Sequence, residues 1–362
     1  MALERLDIQF LRNIESARLS FSPGINVISG LNASGKTSIL EAISLVIQGK
    51  SFRTPRLNLL VQHGQTEMVV SGHYRQGNQR FQVGIARQEG KTRVKRNGEV
   101  VTRTTELVGQ LPLFILTPES HELLDSGPKM RRHYLDWGVF HVEHHYLNHW
   151  QRYHRILRQR NTSLRQQASL STVRAWDSPL VESATEIDQL RTGYIEQLTP
   201  KIAQFSEEIL GLTPNVIYQP GWKTDLPLAE QLQAAIGKDQ QRGFTSLGPH
   251  RADLKIHYQG QPVHAVLSRG QQKLLICAMT LAQLSVLNQQ CLILVDDLPA
   301  ELDTVKRATL LESLRGTGAQ VVVTATDAGL IDVAGWEEKK MFHVEHGRIQ
   351  ESGIMARSPQ EH

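Results

Sequence analysis

The feature that most constrains this chain is a glycine-framed octapeptide near its N-terminus. Residues 30–37 read GLNASGKT and match the pattern G-x-x-x-x-G-K-[ST] at every fixed position. The preceding segment, 25–28, reads INVI and predicts a buried strand, while helical spacing of apolar residues predicts a helix over 37–48. A strand, a glycine-containing loop and a helix in this order can surround a phosphate group with backbone N–H groups. The motif therefore predicts an α/β fold with a phosphate site at the end of a strand.

Each residue of this loop has an expected role in binding a nucleoside triphosphate. Lys36 is expected to contact β- and γ-phosphate oxygens, and the hydroxyl of Thr37 is expected to hold Mg²⁺. The other positions are expected to bring the backbone around the phosphates: Gly30, Leu31, Asn32, Ala33, Ser34 and Gly35. The expected ligands are therefore ATP and Mg²⁺.

Two further motifs lie near the other end of the chain. Residues 291–297 read CLILVDD, which predicts a buried strand that ends in two carboxylates. By position, Asp296 is expected to hold the metal ion, and Asp297 is expected to orient or deprotonate the attacking water. An apolar strand ending in two acids is common when it stands alone, but here residues 300–303, AELD, add a further acid.

The second of these motifs, LSRGQQK at 267–273, precedes an apolar helix. Ser268 is a good N-cap and Gly270 allows a close approach, so the helix start, with Gln271, predicts another anion cradle. A structural cap would explain Ser268 alone but not the whole string. The three motifs in combination are far more specific than any one of them.

The character of the chain changes along its length. The first 115 residues read as strands and turns, with meander strands at 67–74, 79–87 and 91–101 and turns at Gly77-Asn78 and Asn97-Gly98. Two helical stripes then flank a polar stretch, 162–172, and predict an antiparallel helical hairpin. We therefore expect a discontinuous head over 1–120 and 241–362, and a helical lobe over 121–240.

Charge is distributed unevenly along the chain, although the net value of +4 is small. Residues 50–110 hold eleven Lys or Arg against four Glu, and residues 129–165 hold eight against two acids. Such runs are typical of phosphate contacts, but a solvated face is the alternative interpretation of both. The candidate DNA contacts are Lys91, Arg93, Lys95, Arg96, Lys129, Arg131 and Arg132. Two cysteines and no apolar run of about 18 residues indicate a cytoplasmic, non-membrane protein.

In their order, these motifs resemble the ABC-type ATPase head, in particular the branch of structural-maintenance-of-chromosomes proteins and the RecF family. The similarity to RecF is the greater, and it extends over nearly the whole chain. It rests on SFRT at 51–54, TPE at 117–119, RR at 131–132 with LD at 135–136, GPHRAD at 248–253 and SRGQQ at 268–272.

The resemblance implies a mixed sheet with meander strands and an inserted α-helical lobe. It implies that two subunits sandwich two ATP molecules, so that the 30–37 loop of one meets Ser268 and Gly270 of the other. Arg12 and Asn13 match positions that approach the nucleotide in related heads. The chain departs from the wider ABC pattern at Asp297, where transporters carry Glu, and at the switch position, where Thr324, Thr326 and Asp327 stand instead of His.

The resemblance also implies a function. ATP-driven dimerisation would clamp DNA, single-stranded, gapped or duplex, and slow, regulatory hydrolysis would release it. With RecR and RecO, this would support RecA loading, recombinational repair, replication restart and SOS induction in the cytoplasm, at the nucleoid. A transporter nucleotide-binding subunit is one alternative. A chromosome-structural tether is another, although the 230 residues of 38–267 leave no room for its long coiled coil.

Overall fold

The computed structural model describes residues 2–101, 111–287, 289–298 and 302–352, and the chain divides into two compact units. Unit 1 comprises Met1–Glu119 with Asn288–His362, and unit 2 comprises Ser120–Leu287. In chain order the strands are β1 (Ala2–Leu11), β2 (Ile14–Ser20), β3 (Ile25–Ser29), β4 (Glu67–Gln76), β5 (Gln79–Gln88), β6 (Lys91–Arg96), β7 (Glu99–Val100), β8 (Leu113–Leu116), β9 (Asn215–Gln219), β10 (Asp253–Tyr258), β11 (Gln261–Pro262), β12 (Leu292–Val295), β13 (Gln320–Ala325), β14 (Lys339–Glu345) and β15 (Arg348–Ser352).

The helices follow the same order. They are α1 (Lys36–Gln48), α2 (Glu122–Asp125), α3 (Pro128–Val142), α4 (Tyr146–Arg165), α5 (Leu170–Arg174), α6 (Asp177–Leu210), α7 (Leu228–Arg242), α8 (Val263–Val266), α9 (Arg269–Leu287) and α10 (Thr304–Gly316). Short 3₁₀ turns lie at Leu57–Leu60, Pro118–His121, Pro249–Arg251 and Ala328–Leu330. The predicted P-loop helix is confirmed and begins one residue earlier than expected.

A mostly parallel sheet positions the site in unit 1. Its order is β15-β14-β3-β13-β12-β8, and all neighbours except β15 and β14 are parallel. Strands β3, β12 and β13 are buried along their whole length, as expected for strands covered on both faces. Because these three strands are parallel, their carboxyl ends meet at one edge of the sheet. The 30–35 loop, Asp296 and Ala325 therefore lie at that edge.

The second sheet of unit 1 is antiparallel, in the order β2-β1-β4-β5-β6-β7. One face packs on α1 through alternating apolar residues such as Leu6 and Ile8 on β1 and Val70 on β4. The predicted hairpin turns at 77–78 and 97–98 are confirmed, and they join β4 to β5 and β6 to β7. A bulge interrupts the pairing of β1 with β4 between Leu3 and Arg5.

Unit 2 consists mainly of helices, with the small antiparallel sheet β11-β10-β9. Three ion pairs or hydrogen bonds join α4 to α6: Tyr146 with Arg191, Arg152 with Glu182, and Arg160 with Asp177. The residue numbers rise along α4 while those of the partners fall along α6, so the two helices run in opposite directions. These pairings confirm the predicted antiparallel hairpin. Helix α6 ends at Gly211, whose φ of 68° is the left-handed cap conformation.

The boundary between the units differs from the expected one at its second crossing. The first crossing lies after Glu119, close to the predicted residue 120. The second crossing lies after Leu287 instead of at 240, because α9 packs along α6 and β10 pairs with β9. By packing, the LSRGQQK segment therefore belongs to the helical unit.

No helix in the described parts of the chain has both the length and the apolar character needed to cross a bilayer.

Candidate nucleotide site

The 30–35 loop has the backbone conformation of an anion cradle. Gly30 has φ of 151°, and a Cβ atom there would lie 2.2 Å from the carbonyl oxygen of Val344, so only glycine fits. Lys36 is mostly buried, and its Nζ donates hydrogen bonds to the carbonyls of Gly30 at 2.6 Å and Leu31 at 2.9 Å. The side chain of Lys36 therefore lies against the loop in which the phosphates are expected to bind.

Two neighbouring turns hold this loop in place. The carbonyl oxygen of Ser34 accepts from Nδ2 of Asn13 at 3.0 Å and from the backbone N–H of Gly347 at 2.9 Å. Asn13 Nδ2 also donates to the carbonyl of Ala33, and Asn13 Oδ1 accepts from Ser38 Oγ. The Ser34 hydroxyl is buried and has no hydrogen-bond partner among the described residues. An unpaired buried donor in a cradle of backbone groups fits an incoming phosphate.

The metal side of the site joins the start of α1 to the ends of β12 and β13. Thr37 Oγ1 donates to Oδ2 of Asp296 at 3.0 Å, and Thr324 Oγ1 donates to Oδ1 of Asp296 at 2.7 Å. Burial raises the pKa of Asp296, and the hydrogen bonds from Thr324 and Thr37 partly oppose that rise. Carboxylate and hydroxyl oxygens are ligands that Mg²⁺ prefers, so the residues present fit a Mg²⁺–nucleotide.

The residue after Asp296, Asp297, has an unusual backbone conformation. Its φ of 54° lies in the left-handed region, which aspartate tolerates better than most residues, and its backbone N–H donates to Thr324 Oγ1 at 2.8 Å. Burial lowers the pKa of Lys36, while the charges of Asp297 and Asp296 act in the opposite direction. The structure therefore brings together Lys36, Thr37, Asp296 and Asp297, which the sequence separates by more than 250 residues.

Thr324 is the functional residue that sequence reasoning missed. In the sequence, Thr324 stands with Thr326 and Asp327 where a switch histidine is expected, and the sequence assigns it no role. In the structure it is fully buried on β13, between β3 and β12, and its hydroxyl connects Asp296 to the backbone of Asp297. A polar residue at the end of an otherwise apolar strand, VVVTA, was the available signal.

Arg12 lies beside the loop but binds a protein carboxylate. Its Nε and one terminal nitrogen donate to the two oxygens of Glu41, at 3.0 and 3.1 Å. Glu41 is fully buried on α1 and also accepts from Ser51 Oγ, and a terminal nitrogen of Arg53 lies 3.8 Å from it. The expected contact of Arg12 with nucleotide stays a prediction, and so does that of Asn13, whose side chain holds the loop.

The expected acidic loop after Asp297 is only partly described. Ala300 and Glu301 lie outside the described residues. Asp303 caps α10, because its side chain accepts from the backbone N–H of Lys306 at 2.9 Å.

The LSRGQQK segment forms a reciprocal cap at the start of α9. The backbone N–H of Gln271 donates to Ser268 Oγ at 3.3 Å, and the backbone N–H of Ser268 donates to Gln271 Oε1 at 2.9 Å. The predicted N-cap role of Ser268 is confirmed, and Gly270 lies in the first turn. Contact of Ser268, Gly270 and Gln271 with a nucleotide of another subunit stays a prediction.

The two predicted DNA-binding runs have different surroundings. On β6, Lys91, Arg93 and Lys95 are exposed, and the guanidinium of Arg96 lies over the ring of Phe81 at 5.3 Å. In unit 2, Lys129 is exposed. Arg131 instead forms a two-bonded ion pair with Asp253 at 2.8 and 3.1 Å, and Arg132 donates to the carbonyl of Ala252 at 2.7 Å. These internal partners weaken the prediction of DNA contact for Arg131 and Arg132.

Comparisons with known proteins agree along the whole chain. The RecF/RecN/SMC N terminal domain family matches residues 2–350. The DNA replication and repair protein RecF of Hydrogenovibrio crunogenus is 39% identical over 96% of this chain and 98% of its own length. RecF of Shewanella loihica is 41% identical over 96% of this chain and 99% of its own.

Solved structures agree with these relatives. The recombination mediator protein RecF-ATP of the RecFOR pathway has a TM-score of 0.83 at 26% identity, and the match covers 97% of each chain. An Smc head bound to the C-winged helix domain of ScpA has a TM-score of 0.65 at 14% identity over 98% of each chain, which shows the fold alone.

The sheet order and the converging motifs define an ABC-type P-loop ATPase head, as the sequence predicted. The match to the family model and the relatives at about 40% identity then narrow the class. The chain belongs to the RecF family of DNA replication and repair proteins. This membership removes the transporter subunit as an alternative.

Proposed function

We propose that this chain is an ATP-dependent, DNA-binding recombination mediator that works as a nucleotide-gated clamp. The observation that carries the proposal is the contact of Thr37 with Asp296 at 3.0 Å, with Lys36 buried in the same site. RecF relatives that span nearly the whole chain, one of them a RecF-ATP structure, support ATP as the ligand.

Each side chain of the site has one role in this proposal. Lys36 exchanges its two backbone carbonyl partners for β- and γ-phosphate oxygens. Thr37 and Asp296 would hold Mg²⁺, which when bound would neutralise charge on the phosphates. Asp297 orients the attacking water and accepts its proton. Thr324 holds the Asp296 carboxylate and the backbone of Asp297 in fixed positions through its two hydrogen bonds.

Nucleotide binding also brings two copies of this chain together as a dimer. The Ser268 cap leaves the start of α9 as an anion cradle that would close on the γ-phosphate in another subunit's loop, with Gly270 allowing the approach and Gln271 completing the cradle. ATP thereby closes a homodimer on DNA and slow hydrolysis opens it. ATP hydrolysis is weak, and it sets how long the dimer stays on DNA instead of driving movement along it.

The biological setting follows from relatives. The RecF-ATP structure is that of a recombination mediator in the RecFOR pathway. We therefore infer RecR and RecO as partners, with RecA loading at gaps or junctions, replication restart and SOS induction as the outcome. The place of action is the cytoplasm, at the nucleoid, and the DNA is single-stranded, gapped or duplex. Lys91, Arg93, Lys95 and Lys129 are proposed DNA contacts, together with Arg96.

Analytical ultracentrifugation tests ligand, dimer and DNA together. The protein is sedimented without nucleotide, with ATP and Mg²⁺, and with ATP plus a gapped duplex. We expect a dimer only with ATP and tighter DNA binding in the dimer. Lys36→Ala should abolish the nucleotide-dependent dimer and weaken DNA binding, and unchanged DNA affinity in this variant would disprove the coupling.

Ser268→Ala separates the two halves of the proposal. It should bind ATP as a monomer nearly as well as the unaltered protein, yet fail to dimerise. Collapse of its nucleotide affinity would show that Ser268 does not act across a dimer.

A further inference from the structure

A cavity of about 440 Å³ opens in unit 1 at the β1 bulge, on the antiparallel sheet and outside the nucleotide site. Its lining includes Glu4, Arg5, His73, Arg80, Gln82 and Asn97. Residues from four strands and from the Asn97-Gly98 turn thus converge on one concave surface. Ser20, Tyr74 and Phe81 complete the lining, so charged and hydrogen-bonding groups stand beside aromatic rings, and the cavity can bind a polar ligand.

Two carboxylates of β1 each hold two arginines at or beside this cavity. Glu4 forms the first set: its Oε1 lies 3.0 Å from Nε of Arg75, and its Oε2 lies 3.2 Å from Nε of Arg80. We call these three residues the Glu4 triad. Glu4 is the extra residue of the bulge, which explains why its side chain reaches the arginines of the β4–β5 hairpin.

The second set repeats the arrangement on the same strand. Asp7 Oδ2 accepts from Nε of Arg5 at 2.9 Å, and Asp7 Oδ1 accepts from Nε of Arg18 at 2.7 Å. We call these residues the Asp7 triad, and His73 extends it through a contact of 2.6 Å with Arg5. Partial burial acts to raise the pKa of Asp7, but Arg18 and Arg5 together lower it. The acid therefore stays ionised and holds both arginines.

Each triad carries a net charge of +1, because two arginines share one carboxylate. The acids are the less exposed partners: Glu4 is 28% exposed, against 76% for Arg80, and Asp7 is 24% exposed, against 72% for Arg18. The ion pairs use the Nε atoms. Within the described ranges, no hydrogen bond engages the terminal nitrogens of Arg18, Arg75 or Arg80. The acids thus orient guanidinium groups whose outer donors remain available to a ligand.

A phosphate group fits these donors best. The planar fork of arginine bonds two phosphate oxygens at once, and fixed orientation lowers the entropy cost of binding. Glu4 and Asp7 are three residues apart, about 10 Å at the rise of a strand, so one nucleic-acid backbone can meet both triads. Asn97 and the Arg96–Phe81 pair connect the cavity to the exposed cations of β6.

We propose that this cavity, lined by Glu4, Arg5 and Arg80, and the triad arginines beside it form a nucleic-acid phosphate site, which binds backbone or terminal phosphates of the DNA that the clamp encloses. The inference rests on the proposed function and adds to the DNA surface two arginines that linear charge counts do not include. Arg5 and Arg18 come from the first two strands, outside both basic runs of the sequence.

The test removes one exposed arginine from each triad. Arg18→Gln/Arg80→Gln is compared with Arg315→Gln/Lys340→Gln, which deletes the same charge from two ion pairs elsewhere in unit 1, one exposed and one half-buried. Binding to a labelled duplex with 5′-hydroxyl ends, the same duplex with 5′-phosphate ends, and poly-glutamate is measured with ATP across a range of salt. Thermal unfolding and ATP affinity confirm that both proteins are folded and loaded.

We expect the cavity variant to bind duplex at least about tenfold more weakly than the control pair. The slope of log affinity against log salt should fall by about 0.9 for each phosphate that the variant no longer neutralises. If the variant loses the same affinity for both duplexes, the site binds internal phosphodiesters. If it loses affinity only for the duplex with 5′-phosphate ends, the site binds a terminal phosphate. Either result supports the site.

Affinity and salt slope equal to those of the control pair would overturn the inference alone. Loss of poly-glutamate binding with normal duplex binding would also overturn it, since the cavity would then serve an acidic protein segment. If the unaltered protein with ATP binds no DNA at all, the proposed function fails and the inference fails with it.

Discussion

The two units use charged residues in opposite ways. In unit 1, Lys36 and Asp296 lie at the nucleotide site, although both are largely buried, and Arg18 and Arg80 are exposed in the two arginine triads. In unit 2, by contrast, several charged residues are enclosed. Arg160, for example, is fully buried between Asp177 and Asp239. These four groups of unit 1 can contact a ligand, whereas the buried charges of unit 2 join helices.

The enclosed network of unit 2 joins segments far apart in the chain. Arg160 on α4 bonds Asp177 on α6 at 2.9 Å, Asp239 on α7 at 2.9 Å and Thr245 at 2.8 Å. A second buried arginine, Arg191, connects α6 to Asp136. We therefore expect substitutions at the buried charges of unit 2 to lower mainly the stability of the protein. Substitutions at the ligand-binding groups of unit 1 should lower mainly binding or turnover.

The largest effect should come from Arg160→Ala. The variant leaves two buried carboxylates without their cation, so we expect it to lose about 3–5 kcal/mol of unfolding free energy. Arg152→Ala, which removes a half-exposed arginine on the same helix, should lose less than about 1 kcal/mol. Urea unfolding measures both. Equal losses in the two variants would break the contrast between enclosed and open charges.

The next effect in size should come from low pH, which we expect to destabilise unit 2. Burial lowers the pKa of both His141 and His250 to about 4. Their folded pKa values lie below the ordinary value of 6.5, so the neutral form favours folding. That stability is complete above about pH 6.5 and is lost as pH falls toward 4, at about 3 kcal/mol for each group.

Urea unfolding at pH 7.5 and pH 5 checks this expectation. His250→Gln should show a smaller loss between the two pH values than the unaltered protein, whereas the exposed His63→Gln should behave as the unaltered protein does. An unchanged pH dependence in His250→Gln would show that His250 does not titrate on unfolding.

A smaller effect on stability than that of Arg160→Ala should come from Thr324→Val in unit 1. The variant orphans the buried N–H of Asp297 and removes a donor to Asp296, at a cost of about 1–2 kcal/mol. Turnover of ATP should fall by about tenfold or more, because the Asp296 carboxylate and the backbone of Asp297 lose their fixed positions, while ATP affinity changes little. Thr324→Ser keeps the hydroxyl and should restore turnover. A fall in affinity without a fall in turnover would contradict the positioning role.

Local patterns predicted the elements around the nucleotide correctly. The glycines and Lys36–Thr37 define a loop whose conformation depends on neighbours in sequence, and the hairpin turns at 77–78 and 97–98 depend on local backbone preferences. The charge runs predicted less, because ion pairs form across the fold. In 129–165, Arg131, Arg152 and Arg160 find their acids at Asp253, Glu182 and Asp177, all outside the counted window.

By itself, the sequence determined the P-loop, the acidic strand end, the helical hairpin and, through its resemblance, membership of the RecF family. Only the tertiary structure decided that Thr324 joins the Asp296 carboxylate to the backbone of Asp297, that Arg160 is buried, and that Arg5 and Arg80 line one cavity. The reason is physical: backbone conformation is set by near neighbours, whereas the burial and pairing of a charge depend on whichever distant segments pack against it.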